Sequence, residues 1–267
     1  MSKDRKYWKQ YAKRTLSGNW GLAIIGMILS TIVNFVGNYM ASALFPGVAV
    51  SALLLSQVFL FIVSLIGMIF STGYIYMLLN MSRGREYGLG DLLHMFRNQP
   101  DRVLVAGLVL SLIDNVLMLP FNYWTIMTAP AADTMEAYVS WFQTAVLFLV
   151  LGMAVSVVVK LPLSMTFYLL ADDTEMGGIQ ALKTSVRLMK GKKGKYFVLQ
   201  LSYVPLLLLS IFTLYIALLW LLPYMNAADT AFYMDACGEF DHHPEDDAEE
   251  PGRITERPAG DDYNAEA

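Results

Sequence analysis

The sequence predicts an all-α membrane protein with about six transmembrane helices in three hairpin repeats, each preceded by a basic amphipathic interfacial helix. Three observations support this fold class. Hydrophobic residues make up 56% of the 267-residue chain and charged residues only 16%, below the roughly 25% usual in soluble domains. The apolar runs continue for about 20 residues or more, the length that crosses a hydrocarbon core of about 30 Å. Finally, Lys and Arg gather in the connections on one side of these runs.

Five apolar stretches alternate with polar connections, at residues 20–44, 48–79, 103–127, 138–170 and 196–225. The second and fourth exceed a single span, so we expect tilted helices or cytoplasmic extensions there. The fifth is either one long helix or, continued to 235, two helices of about 196–212 and 216–235. The second alternative requires a tight turn at 213–215.

The connections differ in charge. The connections at 45–47 and 128–137 contain no Lys or Arg, whereas sixteen cations lie before the first stretch, between the second and third, and between the fourth and fifth. Short loops rich in Lys and Arg remain in the cytoplasm. This predicts a cytoplasmic N-terminus, and six helices would place the C-terminus on the same side.

Each basic connection also has the apolar spacing of an amphipathic helix. The pattern is clear in 3–16 and weaker in 89–96. It is also clear in 179–190, where the apolar positions Ile179, Leu182, Val186 and Met189 are assigned to the face opposite Lys183, Arg187 and Lys190. Such a helix buries its apolar face among lipid headgroups, and each cation gains about 1 kcal/mol from anionic lipid. We therefore predict lipid-facing basic anchors at Lys183, Arg187, Lys190, Lys192, Lys193 and Lys195. A nucleic-acid surface is strongly disfavoured.

Three similar sequences favour six helices over five. They are "TGYIYMLL" at 72–79, "MTFYLLAD" at 165–172 and "TAFYMDAC" at 230–237. They indicate an internal repeat of amphipathic helix, outward span and returning span. The third copy fits this order only if two helices lie between 196 and 235.

The chain then divides into an N-terminal interfacial helix at 1–19, a transmembrane domain at 20–236 and an acidic tail at 237–267. Residues 238–267 hold eleven acidic residues and two arginines, a composition that does not form a packed core. We expect a disordered cytoplasmic tail. It either folds back onto the basic inner surface or stays solvated, and we favour the solvated form.

The sequence contains no recognisable catalytic or cofactor motif. Its only histidines are His94, His242 and His243, and its single cysteine, Cys237, excludes an intrachain disulfide and a cysteine-based zinc site. Motifs such as H-E-x-x-H and the Walker loop are absent. We therefore expect no enzyme, no metal and no cofactor.

Two charged residues inside the apolar stretches are the remaining candidate site. Asp114 and Lys160 would lie about 15–18 Å deep on adjacent antiparallel helices. A lone charge at the bilayer centre costs about 2.5–3.5 kcal/mol. Three interpretations are open: the two residues pair, Lys160 snorkels to the interface beside a protonated Asp114, or the two form a substrate or proton site.

These features favour a non-enzymatic membrane protein that organises lipid or partners at the inner leaflet. The alternative is a small-solute transporter or channel, since six helices in repeats can enclose a path. A membrane enzyme acting on lipid is the least favoured. The expected partners are anionic lipid and, in addition, other proteins or further copies of the chain.

Two C-terminal blocks carry a family resemblance. "ALKTSVRLMKGKKGKYFVLQLSYV" at 181–204 and "LLWLLPYMNAADTAFY" at 218–233 resemble the uncharacterised bacterial integral membrane proteins grouped as domain of unknown function nine-seven-five. The likeness extends from the basic opening to Tyr233. It implies a multi-pass protein of the bacterial plasma membrane with no established activity. That family usually has glycines in the turn before "LLW", whereas this chain has "TLYIA" at 213–217.

Overall fold

The computed structural model describes residues 4–47, 50–128 and 134–240. Every regular element in these residues is helical, which confirms the all-α prediction. Two short 3-10 helices occur at Leu89–Leu93 and Leu161–Leu163. The α-helices in the described ranges are α1 (Arg5–Leu16), α2 (Trp20–Leu44), α3 (Val50–Ser82), α4 (His94–Arg97), α5 (Pro100–Met127), α6 (Met135–Lys160), α7 (Thr166–Asp172), α8 (Gly178–Leu188), α9 (Lys193–Leu201), α10 (Val204–Phe212) and α11 (Leu218–Cys237).

Five helical stretches are long and apolar enough to cross a membrane, judged by length and composition. Within the described ranges they are Trp20–Leu44, Ser51–Ser82, Pro100–Thr125, Met135–Asp172 and Lys193–Phe212. They correspond to the five apolar stretches of the sequence. In the fourth, the α-helix gives way to the 3-10 helix at Pro162, because proline removes a backbone donor and crowds the preceding turn. These helices are compatible with a multi-pass membrane protein.

The long helices pair as three antiparallel hairpins: α2 with α3, α5 with α6, and α9–α10 with α11. One aromatic contact from each hairpin illustrates the pairing: Phe45 with Phe59, Trp124 with Trp141, and Tyr203 with Tyr224. In the third hairpin the chain reverses between α10 and α11. The structure therefore has two helices in the region 196–235, where the sequence allowed either one helix or two.

The third reversal is made without glycine. Leu214 and Tyr215 adopt left-handed backbone conformations, with φ of 49° and 66°. This conformation costs a residue with a side chain about 1–2 kcal/mol. The reversal thus lies at the predicted position, but the residues that form it are strained.

Burial is concentrated where α3, α7 and α11 finish, and we call this end of the molecule the closed end. Fully buried side chains there include Trp8, Met77, Leu78, Leu79, Met165, Leu170, Phe232 and Tyr233. Towards the hairpin turns, which form the open end, large apolar side chains are exposed, such as Phe35 at 76% and Phe212 at 85%. Apolar exposure on this scale marks contact with an apolar medium or a partner.

The three similar sequences meet inside the closed end. Thr72, Thr166 and Thr230 are all fully buried. Each hydroxyl donates a hydrogen bond to a carbonyl of the preceding turn, at 2.7, 2.7 and 2.9 Å respectively. The rings of Tyr168 and Tyr233 stack with their centroids 5.5 Å apart. The residues that resemble one another in sequence thus occupy one shared core.

Arg83 joins the ends of the three hairpins. Its guanidinium donates to Asp172 at 2.5 and 2.9 Å and to Glu239 at 2.6 and 3.0 Å. Tyr233 donates a further hydrogen bond to Asp172 at 2.9 Å. The hydrogen bonds to Asp172 and then Glu239 raise the pKa of Arg83 above its ordinary value. The last residues of α3, α7 and α11 are therefore held at one level.

Helix α1 buries its apolar side in protein. Trp8, Ala12 and Leu16 are at most 1% exposed, and the Trp8 ring meets Phe232 edge-on at 4.9 Å. The sequence predicted that this face would lie among lipid headgroups, and the structure instead packs it against α11. The reason is that periodicity identifies an apolar face but not what covers it. The opposite side exposes Arg5, Lys6, Lys13 and Arg14.

The other two predicted interfacial segments bury only part of their apolar residues. In α8, Leu182 is buried, whereas Ile179 and Val186 remain 47% and 42% exposed. In the segment before α5, Leu92 and Met95 are buried, and the exposed apolar residues are Leu89, Leu93 and Phe96. The buried side of α8 is formed mainly by small residues, so the large apolar side chains are left outside.

The packed body extends beyond the predicted start of the acidic tail at Cys237. Cys237 is the last residue of α11, and Gly238 adopts a left-handed conformation that ends the helix. Glu239 then reaches Arg83, and the ring of Phe240 packs against Tyr7 and Tyr11 of α1 at 5.3 and 4.9 Å. The boundary therefore moves to the end of Phe240. Residues 241–267, with His242, His243 and the predicted disorder, lie outside the described residues.

The strained reversal gives a first prediction. Tyr215→Gly should raise the melting temperature in detergent, with a net gain of about 0.5–1 kcal/mol, because relief of left-handed strain exceeds the entropy cost of glycine. Ile216→Gly is the matched control, since Ile216 is similarly exposed but is not among the residues with positive φ. It should lower the melting temperature. Equal losses in both variants would contradict the strain.

The contacts of Glu239 and Phe240 give a second prediction. A chain ending after Phe240 should keep the full melting temperature in detergent. A chain ending after Gly238 should lose about 2–4 kcal/mol, because it loses a charged hydrogen-bond pair and a packed ring. Stability that is unchanged by the shorter ending would show that the two residues do not belong to the packed body.

Candidate functional site

A groove of about 630 Å³ lies between the second hairpin and α9–α10. Most of its lining is apolar, with Leu110, Val157 and Val204 contributed by three different helices. Its polar lining consists of Asp114, Lys160, Ser164, Tyr196 and Gln200. The volume is in the range of roughly 300–1,000 Å³ that ligand pockets occupy.

The 3-10 helix around Pro162 forms part of one wall of this groove. Leu161 and Leu163 of this segment line the groove, and the chain then continues as α7. Buried Ser185 of α8 stabilises the segment, because its hydroxyl donates to the Pro162 carbonyl at 2.9 Å and accepts from the Met165 amide at 3.2 Å. Such side-chain bonds satisfy backbone groups that a proline leaves without helical partners.

The structure brings Asp114 and Lys160 together. The Lys160 Nζ lies 2.9 Å from Asp114 Oδ1, and both side chains are 44% exposed. This geometry agrees with the first of the three interpretations, in which Asp114 and Lys160 pair. Exposed pairs contribute little in water. In lipid the pair avoids two isolated charges, each of which costs about 2.5–3.5 kcal/mol.

The sequence reasoning missed another charged residue among the hairpins, the acidic Asp229 of α11. Its carboxylate accepts hydrogen bonds from Gln200 Nε2 at 2.8 and 2.9 Å and from the Tyr196 hydroxyl at 3.3 Å. Gln200 and Tyr196 line the groove, so Asp229 lies behind them. The fifth apolar stretch was ended at 225, before this residue. The small residues Ala227, Ala228 and Ala231 around it are the signal of a helix face packed on protein.

The six predicted basic anchors separate into two groups. Five are exposed: Lys183, Arg187, Lys190, Lys193 and Lys195. Lys192 is partly buried, and its Nζ donates to the Ala236 carbonyl at 2.5 Å. A cation at the last carbonyls of a helix stabilises the helix end. Lys192 is therefore a cap of α11, which corrects its assignment as a lipid-facing anchor.

The α1 cations and the third basic connection form one surface. A smaller groove of about 400 Å³ lies between them, lined by Arg5, Lys6 and Lys195 together with Asp4. Near it, Lys9 donates to the Ser202 carbonyl at 3.4 Å. Burial, followed by the charges of Arg5 and Lys13, lowers the pKa of Lys9.

The chemical groups of the larger groove suit binding. Its lining offers an ion pair, two hydroxyls and an amide set among apolar walls. Within the described ranges, no group of three or more His, Cys, Asp or Glu side chains is placed to hold a metal ion.

The ion pair gives a third prediction. Lys160→Met and Asp114→Asn should each destabilise the protein in lipid by about 2–3 kcal/mol, because each leaves one charge alone. The double variant should recover much of this loss, because no isolated charge remains. Thermal unfolding in nanodiscs measures the cycle. Losses that simply add would show that the two residues do not interact.

Comparison with known proteins places the chain by its sequence. No curated protein matches it, and no solved structure matches it. One family model, described as "Protein of unknown function (DUF975)", matches residues 1–237. That range includes all eleven α-helices of the described residues and ends where α11 ends. The resemblance seen in the sequence is confirmed, and the chain belongs to this family of unknown function.

Proposed function

We propose that the protein is a multi-pass protein of the bacterial plasma membrane that organises anionic lipid at the inner leaflet and catalyses no reaction. The observation that carries this proposal is the surface of the closed end, where exposed cations lie beside exposed apolar side chains. This combination is typical of helices at a membrane interface, where charges contact headgroups and apolar groups enter the acyl boundary.

Helix α8 shows the combination most clearly. Ile179, Lys183 and Val186 recur at helical spacing along its exposed side, so one face presents apolar and basic groups together, and the exposed Lys190 follows the end of the helix. Arg187 lies beside them. The exposed Leu89, Leu93 and Phe96 of the preceding connection, followed by Arg97, repeat the combination. The surface is therefore suited to lie against anionic headgroups.

The charge distribution also supports an orientation. Fifteen of the sixteen loop cations lie in described residues, and these belong to connections at the closed end, whereas the connections at 45–47 and 128–137 have none. The positive-inside rule then assigns the closed end to the cytoplasm. In this orientation α11 is the sixth crossing. Its lower hydropathy follows from Ala, Asn and Asp residues that face other helices rather than lipid.

A small-solute transporter is the second candidate, and the groove geometry supports it less. A transport path for a polar solute needs several polar groups near the membrane centre. The groove offers one ion pair among mostly apolar walls. The open end of the molecule likewise exposes apolar side chains rather than polar groups.

Lipid enrichment tests the proposed function. Protein in nanodiscs with equal amounts of phosphatidylglycerol and phosphatidylcholine should retain phosphatidylglycerol preferentially, as measured by native mass spectrometry of the released complex. The triple variant Lys183→Gln, Arg187→Gln, Lys190→Gln should lower this affinity about a hundredfold, since each cation contributes about 1 kcal/mol. Raised salt should weaken the preference in the unmodified protein.

The matched control keeps the charges. Lys183→Arg with Lys190→Arg should leave the phosphatidylglycerol preference unchanged. An unchanged phosphatidylglycerol preference in the Gln variant would contradict the assignment of this surface. A loss of the preference in the Arg variant would show that positive charge alone does not explain the binding.

Topology gives a fifth prediction. A reporter fused after Phe240 should be active only in the cytoplasm, and one inserted at 128–137 only outside, because six crossings return the chain to its starting side. Cysteine accessibility at the same two positions provides an independent measurement. External activity of the fusion after Phe240 would mean that the region from α9 to α11 crosses the membrane only once, which contradicts six crossings.

A further inference from the structure

Granted the proposed membrane location, we propose that the groove between the second and third hairpins binds one uncharged lipid whose head carries hydroxyl groups, a monoacylglycerol being the test compound. The hydrocarbon chain would lie along the apolar walls. The head would contact the Asp114–Lys160 pair. This site differs from the basic surface of the closed end in both position and chemistry.

The walls determine the apolar part of the ligand. From Tyr196 to Val204 the groove follows nine residues of α9–α10, which span about 12 Å of helix. Its rim includes Val157, Phe197 and Leu201, which are 45%, 43% and 54% exposed. A ligand can therefore enter sideways from the bilayer, and most of what it meets is hydrocarbon.

The charge of the groove determines the charge of the ligand. The charged groups in its lining are Lys160 and Asp114, which neutralise each other at 2.9 Å. An anionic or cationic head would add an uncompensated charge beside apolar walls, which is strongly unfavourable. The ion pair therefore selects against fatty-acid anions and anionic phospholipids.

The ion pair also determines the polar group of the head. A hydroxyl donates one hydrogen bond and accepts two, so one hydroxyl can donate to Asp114 and accept from Lys160 without separating them. The other polar groups of the lining are already engaged: Ser164 donates to the Leu161 carbonyl at 2.9 Å, and Gln200 and Tyr196 donate to Asp229. The pair, with each side chain 44% exposed, is where a ligand head can bind.

Photolabelling tests this proposal. The protein is placed in phosphatidylcholine nanodiscs with a diazirine-bearing monoacylglycerol, fatty acid or phosphatidylglycerol, irradiated, and the labelled peptides are mapped by mass spectrometry. We expect monoacylglycerol to label residues 157–167 and 196–204 at least tenfold more than either anionic lipid does. Equal labelling of these residues by an anionic lipid would overturn the proposal.

Two variants locate the label. Val157→Trp fills the groove and should reduce labelling at least tenfold, whereas Val155→Trp, on the same helix and outside the lining, should not. The double variant Asp114→Leu, Lys160→Met should also reduce labelling, because the groove keeps its apolar walls and loses both polar partners of the ligand head. Labelling that survives both changes, or falls equally in Val155→Trp, would overturn the site.

The labelling is measured with an uncharged monoacylglycerol in a bilayer that has no net charge. The Lys183, Arg187 and Lys190 variant should therefore label like the unmodified protein. A failure of the groove proposal can thus be distinguished from a failure of the basic surface to bind anionic lipid.

Discussion

One arginine determines where the returning helices finish. A guanidinium has five N–H donors in a rigid plane, and Arg83 directs its donors to carboxylates from the second and third hairpins. Because this contact fixes α3, α7 and α11 at one level, the buried threonines and stacked tyrosines behind it can meet in one core. Helix α1 packs mainly on α11, and the chain after α11 packs in turn on α1, so both contacts lie beside this junction.

The two ends of the molecule differ in how tightly their side chains are packed. The closed end is tightly packed, and it presents cations outward. The open halves of the hairpins expose apolar side chains and contact one another less. The groove lies at the transition, where a 3-10 helix around Pro162 interrupts the returning chain and Ser185 hydrogen-bonds to backbone groups of this segment. Its lining therefore joins residues close to the packed core with exposed apolar residues.

Much of this arrangement follows from hydropathy and chain length. Counting residues along apolar stretches predicted the limits of α2. It gave the reversal near residue 214 as one of two alternatives, and the meeting of Asp114 with Lys160 as one of three. The features that were missed depend on single long-range contacts. Lys192 capping α11, Glu239 reaching Arg83 and Asp229 binding Gln200 each involve a charged residue whose partner lies far away in sequence. Composition describes a segment as basic, acidic or apolar, and it does not identify which member of the segment is held by another helix.

The packing of Trp8 against Phe232 has a consequence for biosynthesis. The two rings are separated by more than two hundred residues, and ribosomes add about 5–20 residues per second. For roughly ten seconds or longer, α1 is complete while its partner helix has not been made. During this interval the apolar face of α1 has no α11 to pack against. The contact between α1 and α11 is therefore one of the last to form as the chain is made, although α1 precedes every other helix of the described residues.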